Sequence, residues 1–256
     1  MRFSSCTRLT LGALVLSITR MASGERVEFQ SQPTQTALLE LYTSEGCSSC
    51  PPAEAWLSKL KQQPGLWKDF VPLAFHVHYW DYLGWKDRLA SKTYTERQRD
   101  YAAHWGSGTV YTPGFVLNGQ EWRGWSMGEG FSVHAQKDVG VLTARSEDSR
   151  RWTLQFQPSA KDASTSYDFH AALLGFELAT EVKAGENRGH TLEHDFVVLA
   201  WAKSRASKNG ESFQRALDLP VKAANLPKRL AFAAWVSPAK GFQPVQALGG
   251  WLGSAP

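Results

Sequence analysis

The sequence predicts an α/β unit over residues 37–143 followed by a smaller, β-rich, sandwich-like unit over residues 146–251. Three observations lead there. In the first half, apolar runs of strand length alternate with helix-length stretches, the order that layers helices on a sheet. From about residue 145 onward, strand-like runs follow one another through polar connections bearing Gly or Pro, and no helix of convincing period separates most of them. The chain's 256 residues are 43% hydrophobic with eleven Trp and 20% charged, which suffices for a substantial core and excludes a disordered or fibrous chain.

Residues 1–24 read as an export signal rather than as part of the fold. Arg2 and Arg8 make a positive start, residues 9–18 (LTLGALVLSI) an apolar centre, and Ala22, Ser23 and Gly24 a small-residue exit. A bilayer-spanning helix needs roughly 20 apolar residues, so cleavage is expected, leaving no stable membrane insertion. Cys6 precedes the apolar centre, whereas a lipid-attachment cysteine would follow it. A periplasmic or secreted location is the expectation. The net charge of +4 and a pI near 8.9 suggest a basic surface. Residues 1–24 hold Arg2, Arg8 and Arg20 but no acid, so without them 25 basic residues face 24 acidic ones and the net charge is +1. No nucleic-acid partner is therefore expected.

The elements follow in order. Residues 25–36 (ERVEFQSQPTQT) are a polar, flexible lead-in with Pro33. Residues 37–43 (ALLELYT) are a short buried strand, and Ser44-Glu45-Gly46 a turn. Pro51 and Pro52 suit the first turn of a helix, where a missing N–H goes unnoticed. Ala53, Trp56, Leu57 and Leu60 give that helix an apolar stripe, and Pro64-Gly65 ends it. Residues 70–78 (FVPLAFHVH) are a second buried strand and 86–104 a charged helix. A strand at 115–117 runs into Asn118-Gly119, a strong hairpin signal. Residues 126–143 allow a last helix. The second unit offers strands at 152–157, 167–176, 192–202, 229–237 and 244–251.

The chemistry concentrates at Cys47-Ser48-Ser49-Cys50. Export leaves these two cysteines, in a compartment where disulfides persist. A ring closed over so few residues adds little stability, so the pair reads as chemistry rather than scaffold. A helix N-terminus, with its partial positive charge and free N–H groups, stabilises a thiolate. Cys47 is then the nucleophile and Cys50 the resolving thiol of a thiol–disulfide oxidoreductase acting on protein or peptide thiols and disulfides. No cofactor beyond the redox-active Cys47–Cys50 disulfide is expected. Two other readings stay open. His76 and His78, at i and i+2 on a strand, share a face and with Cys47 and Cys50 could bind copper or zinc. Alternatively the disulfide rigidifies a non-catalytic binding module. Trp80, Tyr82 and Trp85 could shape a groove for an unfolded or peptide substrate, against core packing as the plainer role. Residues 185–189 have turn composition, a subdomain contact or a binding loop. His194-Asp195 lacks the Gly-x-Ser-x-Gly elbow a hydrolase triad would want.

A strand, Cys47-Ser48-Ser49-Cys50-Pro51, a second strand, and Thr112-Pro113 before a strand ending at Asn118-Gly119 together resemble the thioredoxin fold. The resemblance implies a cis Pro113 facing the cysteines, with Thr112 and Pro113 aligning an extended substrate by backbone pairing. It also puts Glu40 about where thioredoxins keep a buried acid behind the resolving cysteine, as a proton shuttle; a salt-bridged strand acid is the alternative. A wider set of motifs is similar to the exported family called DUF1223: residues 40–52 (ELYTSEGCSSCPP), Phe75-His76-Val77, residues 79–87 (YWDYLGWKD), residues 185–189 (GENRG), Thr191-Leu192 and His194. This resemblance spans about residues 37–251 and implies a thioredoxin-like domain followed by a β-rich subdomain, with no activity assigned. His78 stands where that family's pattern has Asp.

Overall fold

Strand is the predominant regular structure, arranged in several sheets. A computed structural model describes residues 26–127, 131, 133, 137–159, 164–221 and 226–253; the expected export signal at 1–24 lies outside them. The first half contains β1 (Val27–Gln30), β2 (Ala37–Thr43), α1 (Pro51–Lys59), β3 (Phe70–His76), α2 (Lys92–His104), β4 (Gly114–Leu117) and β5 (Gln120–Trp122). Then follow β6 (Gly140–Ser146), β7 (Arg151–Pro158), β8 (Tyr167–Gly175), β9 (Leu178–Glu181) and β10 (Thr191–His194). The last are β11 (Val197–Arg205), β12 (Ser207–Asn209), β13 (Ser212–Asp218), β14 (Leu230–Pro238) and β15 (Gln246–Leu252).

One eight-stranded sheet runs in the order β15-β14-β8-β11-β3-β2-β4-β5. β3 is parallel to both β2 and β11, and the other neighbours are antiparallel. The sheet curls, so that β15 at one edge comes back against β2 and β3. Small residues permit the curl: Ala172, Ala233 and Gly249 pair across β8, β14 and β15 on the inner face. A Cβ on Gly249 would lie 2.4 Å from the Trp67 ring. Two-residue alternation then sorts side chains. Glu40, Tyr42, Phe75, His170 and Trp235 face α2 on the inner side. Thr43 and His76, paired in register, face α1 on the outer side.

The outer face also carries the antiparallel sheet β1-β6-β7-β13-β12. Leu142, Trp152, Leu154 and Phe156 from that sheet bury against Phe169, Ala171, Phe232 and Val236 from the large one. Trp152 stacks on Phe232 with ring centroids 3.5 Å apart. Each such fully buried side chain contributes about 1.5–3 kcal/mol of apolar transfer free energy.

Several elements differ from the sequence expectation. The lead-in contains β1, because Val27 and Phe29 alternate with polar residues and Phe29 stacks near Trp152 and Phe232. The helix expected at 126–143 is replaced at its end by β6, whose alternating burial is strand-like; most of 128–136 lies outside the described residues. The strand expected at 192–202 is two, β10 and β11, broken at Asp195-Phe196, where Phe196 has a positive φ of 58°. Strands from either side of residue 145 share the large sheet, so that position marks no break in it.

Candidate functional site

Cys47 and Cys50 lie where β2 hands over to α1. The Cys47 N–H donates to the Ser44 carbonyl at 3.1 Å and the Gly46 N–H to Ser44 Oγ at 3.1 Å, closing the turn. Only glycine fits at 46, since a Cβ there would stand 2.9 Å from that of Trp80. Cys50 caps α1, with prolines at the first helical positions. The Ala53 and Glu54 N–H groups both donate to the Cys50 carbonyl, and the prolines have none to give. The helix thus offers its dipole rather than free N–H groups.

The two cysteines form a disulfide with Cα atoms 5.5 Å apart. Cys47 Sγ lies 3.3 Å from Ser49 Oγ, which in turn approaches the Thr112 carbonyl at 3.5 Å. The Thr112–Pro113 peptide is cis. Asn118-Gly119 closes the β4–β5 hairpin with both residues at positive φ, and Asn118 Oδ1 accepts from the Leu38 N–H. The loop ahead of β4 is thereby registered to the strand that delivers the cysteines.

Both cysteines are fully buried. The 185–189 loop, at the tip of the β9–β10 ribbon, holds their turn from outside. Asn187 Nδ2 donates to the carbonyls of Glu45 and Cys47, both at 2.9 Å. The Ser48 N–H donates to Glu186 Oε2 at 3.0 Å, which holds that carboxyl below its usual range. Trp80 Nε1 donates to Thr112 Oγ1 at 2.8 Å and Trp85 Nε1 to Glu45 Oε2 at 2.7 Å, so both rings tie loops together, while Tyr82 is 77% exposed. A cleft of about 450 Å³ beside Ser49, Thr112 and Pro113 is walled by Tyr111, Arg123 and Trp125.

Glu40 does not face the cysteines. It points to the α2 side of the sheet, where Arg97 Nε and Nη2 donate to its two oxygens at 2.7 and 2.8 Å. Tyr101 and Tyr42 hydroxyls donate to it at 2.6 and 3.0 Å. Strand alternation turns the expected proton shuttle into a saturated buried ion pair, and removing either charge would cost about 3–5 kcal/mol.

The buried acid on the cysteine side is Glu54, one helical turn after Cys50. Thr43 Oγ1 donates to one of its oxygens and His194 Nδ1 to the other. His194 Nε2 lies 3.4 Å from Glu45 Oε1. Burial alone would lower the His194 pKa, but the carboxylates of Glu54 and Glu45 outweigh it and push it up to about 10. Burial would raise Glu54, and the His194 charge instead holds it below the usual carboxylate range. His76 donates from Nδ1 to Asp87 Oδ2 at 2.7 Å; the same oxygen accepts the Glu45 N–H at 3.0 Å. Asp87 is likewise held low, the His76 charge overcoming burial. One donor atom from each of Glu54, His76 and His194 lies within 4.8 Å of the other two.

His78 is apart from this cluster, with Nδ1 2.7 Å from Thr95 Oγ1 on α2. β3 ends at His76, so strand alternation no longer relates the two rings, and the sulfurs are bonded to each other. The four-residue set Cys47, Cys50, His76 and His78 is not assembled. Of the residues that sequence reasoning passed over, Glu54 left the clearest signal: a charge beside Ala53 and Leu57 on the buried stripe of α1. Glu45, Asp87, Asn187 and His194 stand inside the motifs that carry the family resemblance.

Among solved structures, the crystal structure of a structural-genomics target from Agrobacterium tumefaciens matches with a TM-score of 0.57 and 26% identity, covering 87% of this chain and 96% of that one. HBP35 of Porphyromonas gingivalis matches with a TM-score of 0.55 over 88% of this chain and 77% of that one; at 14% identity this is a likeness of fold alone. No curated protein matches. The family model described as "Protein of unknown function (DUF1223)" matches residues 38–237, most of the chain, and this protein therefore belongs to the DUF1223 family.

Proposed function

We propose that the protein is an exported thiol–disulfide oxidoreductase, acting on protein or peptide thiols and disulfides through Cys47 and Cys50. The observation that carries this reading is the meeting of the Cys47–Cys50 disulfide with the 112–113 loop, Ser49 Oγ 3.5 Å from the Thr112 carbonyl, at the edge of an open cleft. The surrounding arrangement supports a thioredoxin-like unit. β2 and β3 are parallel and joined through α1, β4 is antiparallel on the other side of β2, and β5 completes a hairpin. The residue pattern of 1–24 supports export.

In the reduced protein the Cys47 thiolate attacks one sulfur of a partner disulfide and releases the other as a thiol. Cys50 then attacks Cys47 and releases the second partner thiol. Two electrons pass to the partner and the Cys47–Cys50 bond forms; the reverse sequence oxidises a partner dithiol. An extended segment lying in the cleft along residues 111–113 would bring its sulfur toward Cys47.

The test is a disulfide-reduction assay with a peptide substrate. Wild type is expected to turn over, Cys47→Ser to be inactive, and Cys50→Ser to accumulate a mixed disulfide visible on a non-reducing gel. Turnover that survives Cys47→Ser would sink the proposal. The burial of both cysteines favours a second reading, a binding module stiffened by its disulfide. In that case the reduced thiols stay unreactive toward a small alkylating reagent.

A further inference from the structure

Behind the disulfide, five ionisable side chains are buried together: Glu45, Glu54, His76, Asp87 and His194. Three polar atoms among them have no hydrogen-bond partner: Glu45 Oε1, His76 Nε2 and His194 Nε2. His194 Nε2 and Glu45 Oε1 face each other at 3.4 Å, which leaves His76 Nε2 without a polar partner; an unpaired buried acceptor costs about 1–3 kcal/mol and calls for an occupant. The charge count asks for one too. Three carboxylates face two imidazoles, so even with both rings protonated one negative charge is left over. Among the described residues, no Lys or Arg pairs with Glu45, Glu54 or Asp87.

Both rings are also held from behind in the manner of metal ligands: His76 gives its Nδ1 to Asp87 and leaves Nε2 free, while His194 presents Nε2 to Glu45, itself held by Trp85 Nε1, and turns Nδ1 toward Glu54. Glu54, His76 and His194 each bring a donor atom within 4.8 Å of the others, so closing on an ion needs side-chain shifts on the order of an ångström. Glu54 also lines a cleft of about 510 Å³ with Pro51, Leu192 and Asp195, a route in from solvent.

We propose that this cluster binds one divalent transition-metal ion of the zinc class through His76, His194 and Glu54, the ion taking the place of the proton between His194 Nδ1 and Glu54, with Glu45 and Asp87 as positioning residues behind the two rings. Imidazole with carboxylate favours such an ion over calcium or magnesium. The site uses neither cysteine and is independent of the thiol-exchange reading. Without the ion, a proton shared by His194 with Glu54 and Glu45 covers part of the negative charge.

The purified protein, stripped with a chelator and titrated with Zn²⁺, is expected to bind one equivalent. The Cys47→Ser/Cys50→Ser double variant should bind as wild type does, and His78→Gln should as well. His76→Gln and His194→Gln should weaken binding by at least about 100-fold, and Asp87→Asn by about 10–100-fold. Since a buried substitution can unfold the chain, Co²⁺ is the second readout. Wild type and the cysteine double variant should show the same visible d–d bands, without a thiolate charge-transfer band. Failure of wild type to bind Zn²⁺ stoichiometrically, or loss of binding with the cysteines, overturns the proposal. Neither result depends on whether the disulfide turns over.

Discussion

Glu40 and Thr43 stand three positions apart on one strand, and that odd spacing sends their side chains to opposite faces. Thr43 meets Glu54 behind the disulfide; Glu40 meets Arg97 under a canopy of Trp201 and Trp235, whose ring centroids lie 5.3 and 5.2 Å from the guanidinium carbon. The same inner face holds His170, stacked on Trp235 at 4.7 Å and on Trp201 at 5.9 Å. Burial, with Arg97 and Lys203 nearby, keeps its pKa well below 6.5. In the unfolded chain the ring takes up a proton as pH drops through about 6.5, while in the folded protein it stays neutral. The unfolded state then binds more protons, so this contribution to stability is complete above about pH 6.5 and is lost as pH falls. His170→Phe is expected to flatten the acid side of the stability profile by up to about 1.4 kcal/mol per pH unit, measured by urea unfolding between about pH 5 and 6.5. Identical slopes in the two proteins would mean that His170 is not held neutral.

Of the β9–β10 ribbon, β9 is invisible in the sequence and β10 merges there with the strand expected at 192–202, and the reason is physical. Each strand has four residues, exposed positions alternate with buried ones, and neither carries enough apolar surface to announce itself. Its tip, residues 185–189, was legible as a turn, but what it touches is decided by the fold. Gly185 and Gly189, at φ 77° and 85°, let the loop double back so that Asn187 reaches two carbonyls of the cysteine turn. Two such hydrogen bonds are worth about 2 kcal/mol together. Asn187→Ala is therefore expected to raise the alkylation rate of Cys47 in the reduced protein by about 30-fold, through more frequent local opening. An unchanged rate would show that reagents reach Cys47 by another path, past Trp80 or through the Ser49–Thr112 cleft.

At the scale of the whole molecule, the large sheet joins β2–β5 to β8, β11, β14 and β15, and β11 is the seam, hydrogen-bonded to β3 on one side and β8 on the other. The core follows the sheet: Leu38 and Phe75 share a cluster with Leu174, Ala233 and Trp235. Unfolding should therefore be one transition, with near-ultraviolet and far-ultraviolet circular dichroism coinciding across a urea titration. Separated midpoints would mean that the two halves of the sheet are stable alone.

The sequence by itself determined the local events, since each follows from chemistry between near neighbours. A strand leading into a Gly46 turn, two prolines opening α1, the Asn118-Gly119 hairpin and a vicinal cysteine pair at a helix N-terminus were all readable. The strand content of the second half was readable as well, though β9, β12 and β13 were not, being short or rich in exposed polar residues, and β6 overlaps the end of the helix expected at 126–143. Tertiary structure alone decided which side of a strand meets which neighbour and which distant loop closes over a site. His194 reaches Glu54 across 140 positions of sequence, and Asn187 reaches Cys47 across the same distance. No periodicity encodes such contacts; they exist because β10 stands beside α1 once the chain has folded.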